Sequence, residues 1–227
     1  ILCEIEEQFT CAELIVRSSA ASEDTSTTTM AGYFESIANV SRTNLSEIIQ
    51  AIDSVAKSYL LAERIPHDDD QIIVQSMIKN VSMSGVIFTN DLNTGAPYYV
   101  INYDDQSGKT DSVTSGAANS NRTLYVHKSA YKSVKSDRFQ KIILAVMELE
   151  NVTGNVPIDI EFALDLDLRP HLFQVRPITV SGGWDPAIPP LVNMATKEIQ
   201  ETVRDKFRPI PGVFGEQSVF GQMPDWN

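Results

Sequence analysis

Four polar side chains between residues 157 and 180 could act together on a phosphate. They are two carboxylates, an amide and a guanidinium, at Asp159, Glu161, Gln174 and Arg176. Two carboxylates can coordinate a hard cation that keeps some of its water ligands. An arginine can donate hydrogen bonds to phosphate oxygens that bind the same cation. These residue types therefore allow the binding of a metal–phosphate complex.

The alternation of apolar and polar residues predicts a β-hairpin that would bring these side chains together. Residues 157–164 and 172–178 both have the period of a strand with one buried face. Turn-forming residues occupy positions 165–170 between them. We expect burial of the opposite face to hold the register of the two strands. That face carries Ile158, Ile160, Phe162, Phe173 and Val175.

A symmetric register of this hairpin sets Glu161 across from Gln174 and Asp159 across from Arg176, within cross-strand reach. One interpretation is the metal–phosphate site. The other is a solvated face with one surface ion pair, which contributes little to stability. The pattern alone favours the solvated face, because such charged faces are common.

A second segment that could contact a phosphate begins with a short apolar strand at residues 14–16, which runs into Arg17. A hydroxyl-rich tract at residues 25–29 and then Gly32 follow. Such a tract lacks the apolar content to pack, so it predicts a loop. The loop is either a linker or a phosphate cover in which Gly32 lets backbone amides approach the anion. It is not a P-loop, because the sequence contains no G-x-x-x-x-G-K-[ST].

The remaining elements predict an α+β fold, with strands in runs and helices covering them. Asn44, with Glu47 three residues on, forms a capping box for an amphipathic helix. Residues 72–78 are strongly apolar, which predicts a central strand buried on both faces. A second helix is expected to begin with Asp137 as its cap and to end before Gly154.

Length and charge narrow the class of protein. A chain of 227 residues and 25.1 kDa can build one large domain or two small ones. The formal net charge of −12 and the pI near 4.6 argue against nucleic acid or an anionic membrane as the main partner. No apolar run approaches the length of a membrane span.

The cysteine content and the chain ends suggest a cytoplasmic piece of a longer protein. Cys3 and Cys11 are too few and too close together to stabilise the fold by disulfide cross-linking, which predicts a reducing compartment. The chain begins with Ile1 rather than Met, so we expect a neighbouring segment. Residues 1–180 would form one domain, and residues 181–227 a linker and short helix toward an absent domain.

Six short stretches occur in one order and together resemble a known family. They are Val16-Arg17-Ser18-Ser19-Ala20 with Glu23-Asp24, Met30-Ala31-Gly32, Val74-Gln75-Ser76-Met77, Ser84-Gly85-Val86-Ile87-Phe88-Thr89, Asp159-Ile160-Glu161-Phe162 and Gln174-Val175-Arg176-Pro177. Over roughly residues 10–180 the chain resembles the ATP-binding domain of phosphoenolpyruvate synthase and pyruvate phosphate dikinase, a branch of the ATP-grasp proteins. The resemblance implies an ATP-grasp-type mixed sheet with covering helices, present here in part.

The resemblance also implies a phosphotransferase in several parts. In that family the domain binds ATP with magnesium and passes a phosphoryl group to a histidine on a separate swivelling domain. A further domain, which binds pyruvate, then uses the phosphohistidine. The swivelling domain is therefore the expected protein partner, and ATP and Mg²⁺ are the expected cofactors.

The family's phosphate and metal roles carry over to five positions. Arg17 and Arg176 would contact the transferring phosphates and spread the charge that develops there. Glu161 and Gln174 would hold magnesium, with Asp159 in or just behind that set of ligands. With the resemblance, the metal–phosphate interpretation of the hairpin becomes the favoured one.

The family's nucleotide-binding roles carry over to three more positions. Gln75 and Met77 would line the adenine pocket, and the main chain of their strand would contact the edge of the base. Gly32 and its neighbours would close over the phosphates.

The sequence also departs from the family. The Gly-Gly-Lys-Gly segment, which supplies a phosphate-binding lysine, and the Gly-Gly-x-x-[ST]-[SC]-His acceptor motif are both missing from these 227 residues. The piece alone is therefore expected to bind nucleotide without completing the reaction. The alternatives are a non-catalytic nucleotide-binding or regulatory module, and a relative that phosphorylates another acceptor, such as an antibiotic or a glucan.

Overall fold

The strands divide between two antiparallel sheets, and helices cover them. The structure, a computed structural model, describes residues 2–19, 35–61, 69–108, 122–180, 183–206, 209 and 211–212. The helices are α1 (Leu2–Gln8), α2 (Leu45–Leu61), α3 (Asp137–Val152) and α4 (Ile188–Lys206), with a 3₁₀ helix at Lys128–Ser133. The strands are β1 (Glu13–Ser19), β2 (Ser36–Ser41), β3 (Gln71–Ser76), β4 (Val81–Phe88), β5 (Tyr98–Asp104), β6 (Arg122–His127), β7 (Ile158–Asp165) and β8 (Pro170–Pro177). The predicted α+β class is confirmed.

The smaller sheet has the strand order β2–β1–β3 and packs one face against α2. Alternate residues of β1, Leu14 and Val16, are fully buried in this core together with Ile48 and Val55 of the helix. The period of β1 therefore turns its odd-numbered residues, Arg17 among them, toward the opposite face.

The predicted cap of α2 is confirmed. The side-chain oxygen of Asn44 accepts a hydrogen bond from the main-chain N–H of Glu47 at 3.4 Å. The Glu47 carboxylate in turn accepts from the Asn44 amide at 2.6 Å and from the Ser41 main-chain N–H at 2.9 Å. These bonds satisfy N–H groups at the helix start and place a negative charge at the positive end of the helix dipole.

The larger sheet has the strand order β6–β5–β4–β7–β8 and is covered by α3. Helix α3 buries Phe139, Ile142, Ile143 and Val146 against this sheet. Its N-cap residue is Ser136 rather than the predicted Asp137, which is the first helical residue. An acidic side chain in the first turn still interacts favourably with the helix dipole, which explains why the two positions are hard to tell apart from sequence.

The prediction that residues 72–78 form a central strand buried on both faces is wrong. Strand β3 lies at the edge of the smaller sheet, paired only with β1 among the described strands, and Ile73 is 36% exposed. Ile72 and Val74 pack against the core under α2. Because the other face borders an open cleft rather than a second helix, apolar residues there stay partly accessible.

The register predicted for the β7–β8 hairpin is confirmed at the end that carries the four polar side chains. Asp159 pairs with Arg176, and Glu161 pairs with Gln174. An irregularity between Glu161 and Phe162 then shifts the pairing by one residue, so that Ala163 rather than Leu164 lies opposite His171.

The predicted burial of the second strand of the hairpin is wrong in part. Val175 is 38% exposed, and Phe173 is only partly buried, whereas Ile158, Ile160 and Phe162 on β7 are fully enclosed. Strand β8 is the edge strand of its sheet. Among the described residues, strands β4 to β7 contribute side chains to the core under α3, and β8 contributes none.

The short helix predicted within residues 181–227 is α4, which begins at Ile188 and has no buried residue among those described. Trp184, just before it, donates a hydrogen bond from Nε1 to the carbonyl of Leu92 in the β4–β5 loop at 2.9 Å. This contact fixes where the segment after β8 leaves the larger sheet. Of the helices in the described ranges, none is long and apolar enough to cross a membrane.

Candidate functional site

A cavity of about 570 Å³ lies between the two sheets, within the size range of small-molecule sites. One wall comes from the smaller sheet and the other from the β7–β8 hairpin. Its lining residues are Ile15, Arg17, Ser36, Gln75, Ser76, Met77, Ile78, Glu161, Pro170, His171, Leu172 and Phe173. The lining thus combines an apolar part with three side chains that can carry charge.

Arg17 reaches across this cavity from the smaller sheet. Its Nη1 donates a hydrogen bond to the main-chain carbonyl of Phe173 on β8 at 3.3 Å. The two-residue period of β1 places Ile15 and Arg17 on the cavity side, opposite the buried Leu14 and Val16. The cation therefore lies on a wall that faces the hairpin, as a phosphate contact requires.

Gln75 and Met77, which the sequence singled out, both lie on the cavity wall. Gln75 pairs with Ile15, and the main-chain N–H of Met77 donates to the carbonyl of Glu13 at 2.9 Å. These pairings hold the end of β3 against β1, and Gln75 and Ser76 at that end line the cavity.

The carboxylate of Glu161 lies on the facing wall, and Gln174 is its partner across the hairpin. Arg176 holds Asp159 in a bidentate pair, with Nε–Oδ1 at 3.1 Å and Nη2–Oδ2 at 3.2 Å. Both side chains of the pair are more than four-fifths buried. All four residues share one face of the hairpin, but of these four only Glu161 is among the described residues that line the cavity.

The structure adds His171, which sequence reasoning did not select. It lines the cavity, and its Nε2 lies 3.1 Å from Oδ2 of Asp165. The main-chain N–H of Arg169 donates to Oδ1 of Asp165, and this bond, together with His171, lowers the pKa of that carboxyl. In the symmetric register His171 would oppose Leu164 on the buried face, so only the irregularity in pairing brings it to the cavity.

The donor set can hold a magnesium ion that is bound mainly through phosphate. Glu161 and Gln174 offer oxygen ligands, and Mg²⁺ commonly takes one or two protein oxygens while it keeps waters and substrate phosphates. Within the described ranges, no group of three or more histidine, cysteine, aspartate or glutamate side chains could hold a metal by itself.

A second cavity of about 610 Å³ continues past the first. The two share Ile15, Ser36, Met77 and Ile78 on their linings. The cleft thus extends past the end of β3 toward Lys79, which forms an ion pair with Glu13 at 2.9 Å.

An α+β fold of two antiparallel sheets, with a cleft between them, is that of a partial ATP-grasp-like domain. A sequence model of the family described as pyruvate phosphate dikinase, AMP/ATP-binding domain, matches residues 1–141. The chain belongs to this family of ATP-dependent phosphotransferase domains. No curated protein matches the chain.

The family match ends within α3, before the hairpin that carries Glu161 and Arg176. It covers Arg17, Gln75 and Met77. Gly32 also falls within the match but lies outside the described residues. The match therefore does not bear on the metal and phosphate roles expected of the hairpin residues.

Proposed function

We propose that this chain binds Mg-ATP in the cleft between its two sheets and passes a phosphoryl group to a histidine on a separate domain. The observation that carries the proposal is that Arg17 of one sheet and Glu161 of the other line the same cavity. A cation and a carboxylate on facing walls suit a phosphate chain that also carries a divalent metal.

The two arginines would contact the phosphates. Arg17 projects into the cleft, and Arg176 comes from the far strand of the hairpin. The bidentate contact with Asp159 orients the guanidinium of Arg176 before nucleotide arrives, so less side-chain freedom is lost on binding. Asp159 thereby acts behind the metal ligands, as a positioning residue for Arg176.

Glu161 and Gln174 would provide the protein oxygens for magnesium. A bound magnesium ion would supply positive charge to offset that of the phosphates. The carboxylate and the amide lie opposite each other on adjacent strands, where cross-strand pairing fixes their separation.

Gln75 and Met77 would contact the base. The edge of β3 offers main-chain groups to a base edge, and Met77 and Ile78 offer apolar surface to its ring. Gly32, in a segment that the structure does not describe, would let the chain close over the phosphates.

The chain would work as one part of a larger phosphotransferase of the phosphoenolpyruvate synthase type. Residues 1–180 would form its nucleotide-binding domain, and 181–227 would connect it to a domain with the acceptor histidine. Pyruvate would bind elsewhere in that protein.

A thermal-shift titration with ATP and Mg²⁺ tests the proposal. A ligand at a hundred times its Kd stabilises the folded state by about 2.7 kcal/mol. For a chain of this length that raises Tm by about 5 to 10 °C. Glu161→Ala and Arg176→Ala should each abolish this rise.

Arg122→Ala is the matched control. Arg122, whose side chain is half exposed, begins β6 at the opposite edge of the same sheet and pairs with Asp105. This variant should keep the ATP-dependent rise in Tm. An unchanged rise in both Glu161→Ala and Arg176→Ala would overturn the proposal.

A second candidate is a nucleotide-binding module that performs no transfer. The observation that favours it is that two of the three guanidinium nitrogens of Arg176, Nε and Nη2, already donate to Asp159. Incubation with γ-labelled ATP and a phosphohistidine domain decides between the two. Labelled histidine would exclude the non-catalytic module, and ATP binding without label would favour it.

A further inference from the structure

His171 is the one titratable side chain on the described cavity lining, besides Arg17 and Glu161, and the proposed function leaves it without a role. Its Nε2 is held at 3.1 Å from Oδ2 of Asp165. The other oxygen of Asp165 accepts from the Arg169 main-chain N–H at 2.9 Å. The imidazole is therefore a fixed part of the cavity wall. The Asp165 carboxylate orients it, and the turn between β7 and β8 orients that carboxylate.

The position of His171 along the hairpin indicates which part of a nucleotide it would meet. It lies opposite Ala163, two residues beyond Glu161 on the same face of β7. Two residues of strand span about 7 Å. A phosphate chain whose metal is held at Glu161 extends over such a distance before its sugar begins, and the apolar Pro170 lies just beyond His171.

The chemistry of the pair favours a hydroxyl over a phosphate. An ionised carboxylate can only accept, so Oδ2 of Asp165 accepts the proton of Nε2, and Nδ1 is the ring nitrogen left to bind a ligand. A ring nitrogen beside an ionised carboxylate suits a hydroxyl, which can both donate and accept a hydrogen bond. It does not suit a second anion, which the carboxylate would repel.

We propose that His171, held by Asp165, binds a ribose hydroxyl of the nucleotide and is a specificity-determining residue of the cleft. This proposal rests on the proposed function, because it takes the phosphates and metal to lie at Arg17 and Glu161. It assigns selection of ribonucleotides over deoxyribonucleotides to the turn end of the hairpin.

Calorimetric titrations of the chain with ATP, 2′-deoxy-ATP and 3′-deoxy-ATP, each with Mg²⁺, test this assignment. The wild-type chain should bind ATP roughly fivefold more tightly than at least one deoxy analogue, the effect of one hydrogen bond. His171→Phe should bring that ratio close to one. His171→Asn, which keeps a side-chain acceptor, should retain part of the discrimination.

His127→Phe is the matched control, because His127 lies on β6 and is not among the residues that line the cavity. It should leave the ratio unchanged. Two results would overturn this inference alone, provided that ATP binding still depends on Glu161. One is equal affinity of the wild-type chain for ATP and both deoxy analogues. The other is an affinity ratio in His171→Phe that is unchanged from wild type. A wild-type chain that binds no ATP would overturn the proposed function and this inference together. The wild-type ratio needs no variant, so a variant that fails to fold leaves the inference falsifiable.

Discussion

Arg17 on β1 donates a hydrogen bond to the main-chain carbonyl of Phe173 on β8, at 3.3 Å, and so joins the two sheets across the cavity. A carbonyl is a neutral acceptor, so this bond holds the guanidinium in place without neutralising its charge. A phosphate that enters the cavity would offer the same guanidinium an anionic partner, which forms a stronger hydrogen bond.

We expect Arg17→Lys to bind Mg-ATP about tenfold more weakly than the wild-type chain. Lysine keeps the charge but loses the planar fork, and one charge-assisted hydrogen bond contributes about 1.5 to 3 kcal/mol. Arg17→Met should bind more weakly still, because it removes the charge as well. Calorimetric titration with ATP and Mg²⁺ measures both affinities.

Arg42→Lys provides the control for this substitution. Arg42 also donates to a main-chain carbonyl, from Nε to Cys11 at 2.9 Å, but it does not line the cavity. Its replacement should leave ATP affinity within twofold of wild type, a difference of about 0.4 kcal/mol. Equal affinities for wild type and Arg17→Met would show that Arg17 takes no part in binding.

We expect Asp159 and Arg176 to be energetically coupled. The two form a bidentate pair that is largely buried, so removal of either leaves the other without its partner in that pair. A double-mutant cycle with Asp159→Asn and Arg176→Met should give a coupling free energy of about 1 to 3 kcal/mol in urea unfolding. Additive effects of the two substitutions would show that the pair contributes no stability.

The same cycle applied to Lys79 and Glu13 gives the comparison. These residues also form an ion pair, at 2.9 Å, but the lysine is more than half exposed. Solvent screening weakens such a pair, and its coupling should lie below about 1 kcal/mol.

Gly85 marks a close approach between β4 and β5 that no larger residue allows. A Cβ at this position would lie 2.0 Å from the carbonyl oxygen of Asn102. We expect Gly85→Ala to lower the free energy of unfolding by about 1 to 3 kcal/mol, because the backbone of β5 must shift. Thermal or urea unfolding measures the loss.

Gly154 offers a matched control. Its φ of +73° is one that asparagine tolerates, and nothing lies within 4 Å of an added Cβ. Gly154→Asn should therefore change stability by no more than about 0.5 kcal/mol. A Gly85→Ala chain as stable as Gly154→Asn would mean that the two strands separate without cost.

The sequence predicted the parts of the site that depend on local periodicity. Alternation along β7 and β8 was sufficient to pair Asp159 with Arg176 and Glu161 with Gln174, because burial of Ile158 and Ile160 fixes the register near them. The cap at Asn44 was predictable for a similar reason, since its partners lie within a few residues in the chain.

The features that the sequence missed depend on contacts distant in the chain. The irregularity after Glu161 moves His171 to the cavity face, and no residue type marks it in advance. The edge position of β3 follows from the division of the strands into two sheets. An apolar run such as Ile72-Ile73-Val74 is equally compatible with a central strand and with an edge strand beside a cleft.

Tyr99 makes the stability of the larger sheet depend on pH in the alkaline range. Its hydroxyl donates to Oε2 of Glu150 at 2.7 Å, and Lys128 binds the other oxygen of that carboxylate. Burial, and then the hydrogen bond and charge of Glu150, raise the pKa of Tyr99 well above its ordinary value of 10.0. Above that value the unfolded chain loses the phenol proton while the folded chain keeps it. The stability contributed by neutral Tyr99 is therefore complete below about pH 10 and falls as the pH rises further.

We expect Tyr99→Phe to be less stable than wild type near neutral pH, because Glu150 loses a hydrogen-bond donor. It should also lose less stability than wild type as the pH rises from about 9 to about 11, because phenylalanine has no proton to release. Urea unfolding over this range measures the slope. Tyr125→Phe is the control, since Tyr125 is 56% exposed and its replacement should leave the alkaline slope as in wild type. Parallel slopes for wild type and Tyr99→Phe would mean that Tyr99 releases its proton equally readily in the folded and unfolded chains.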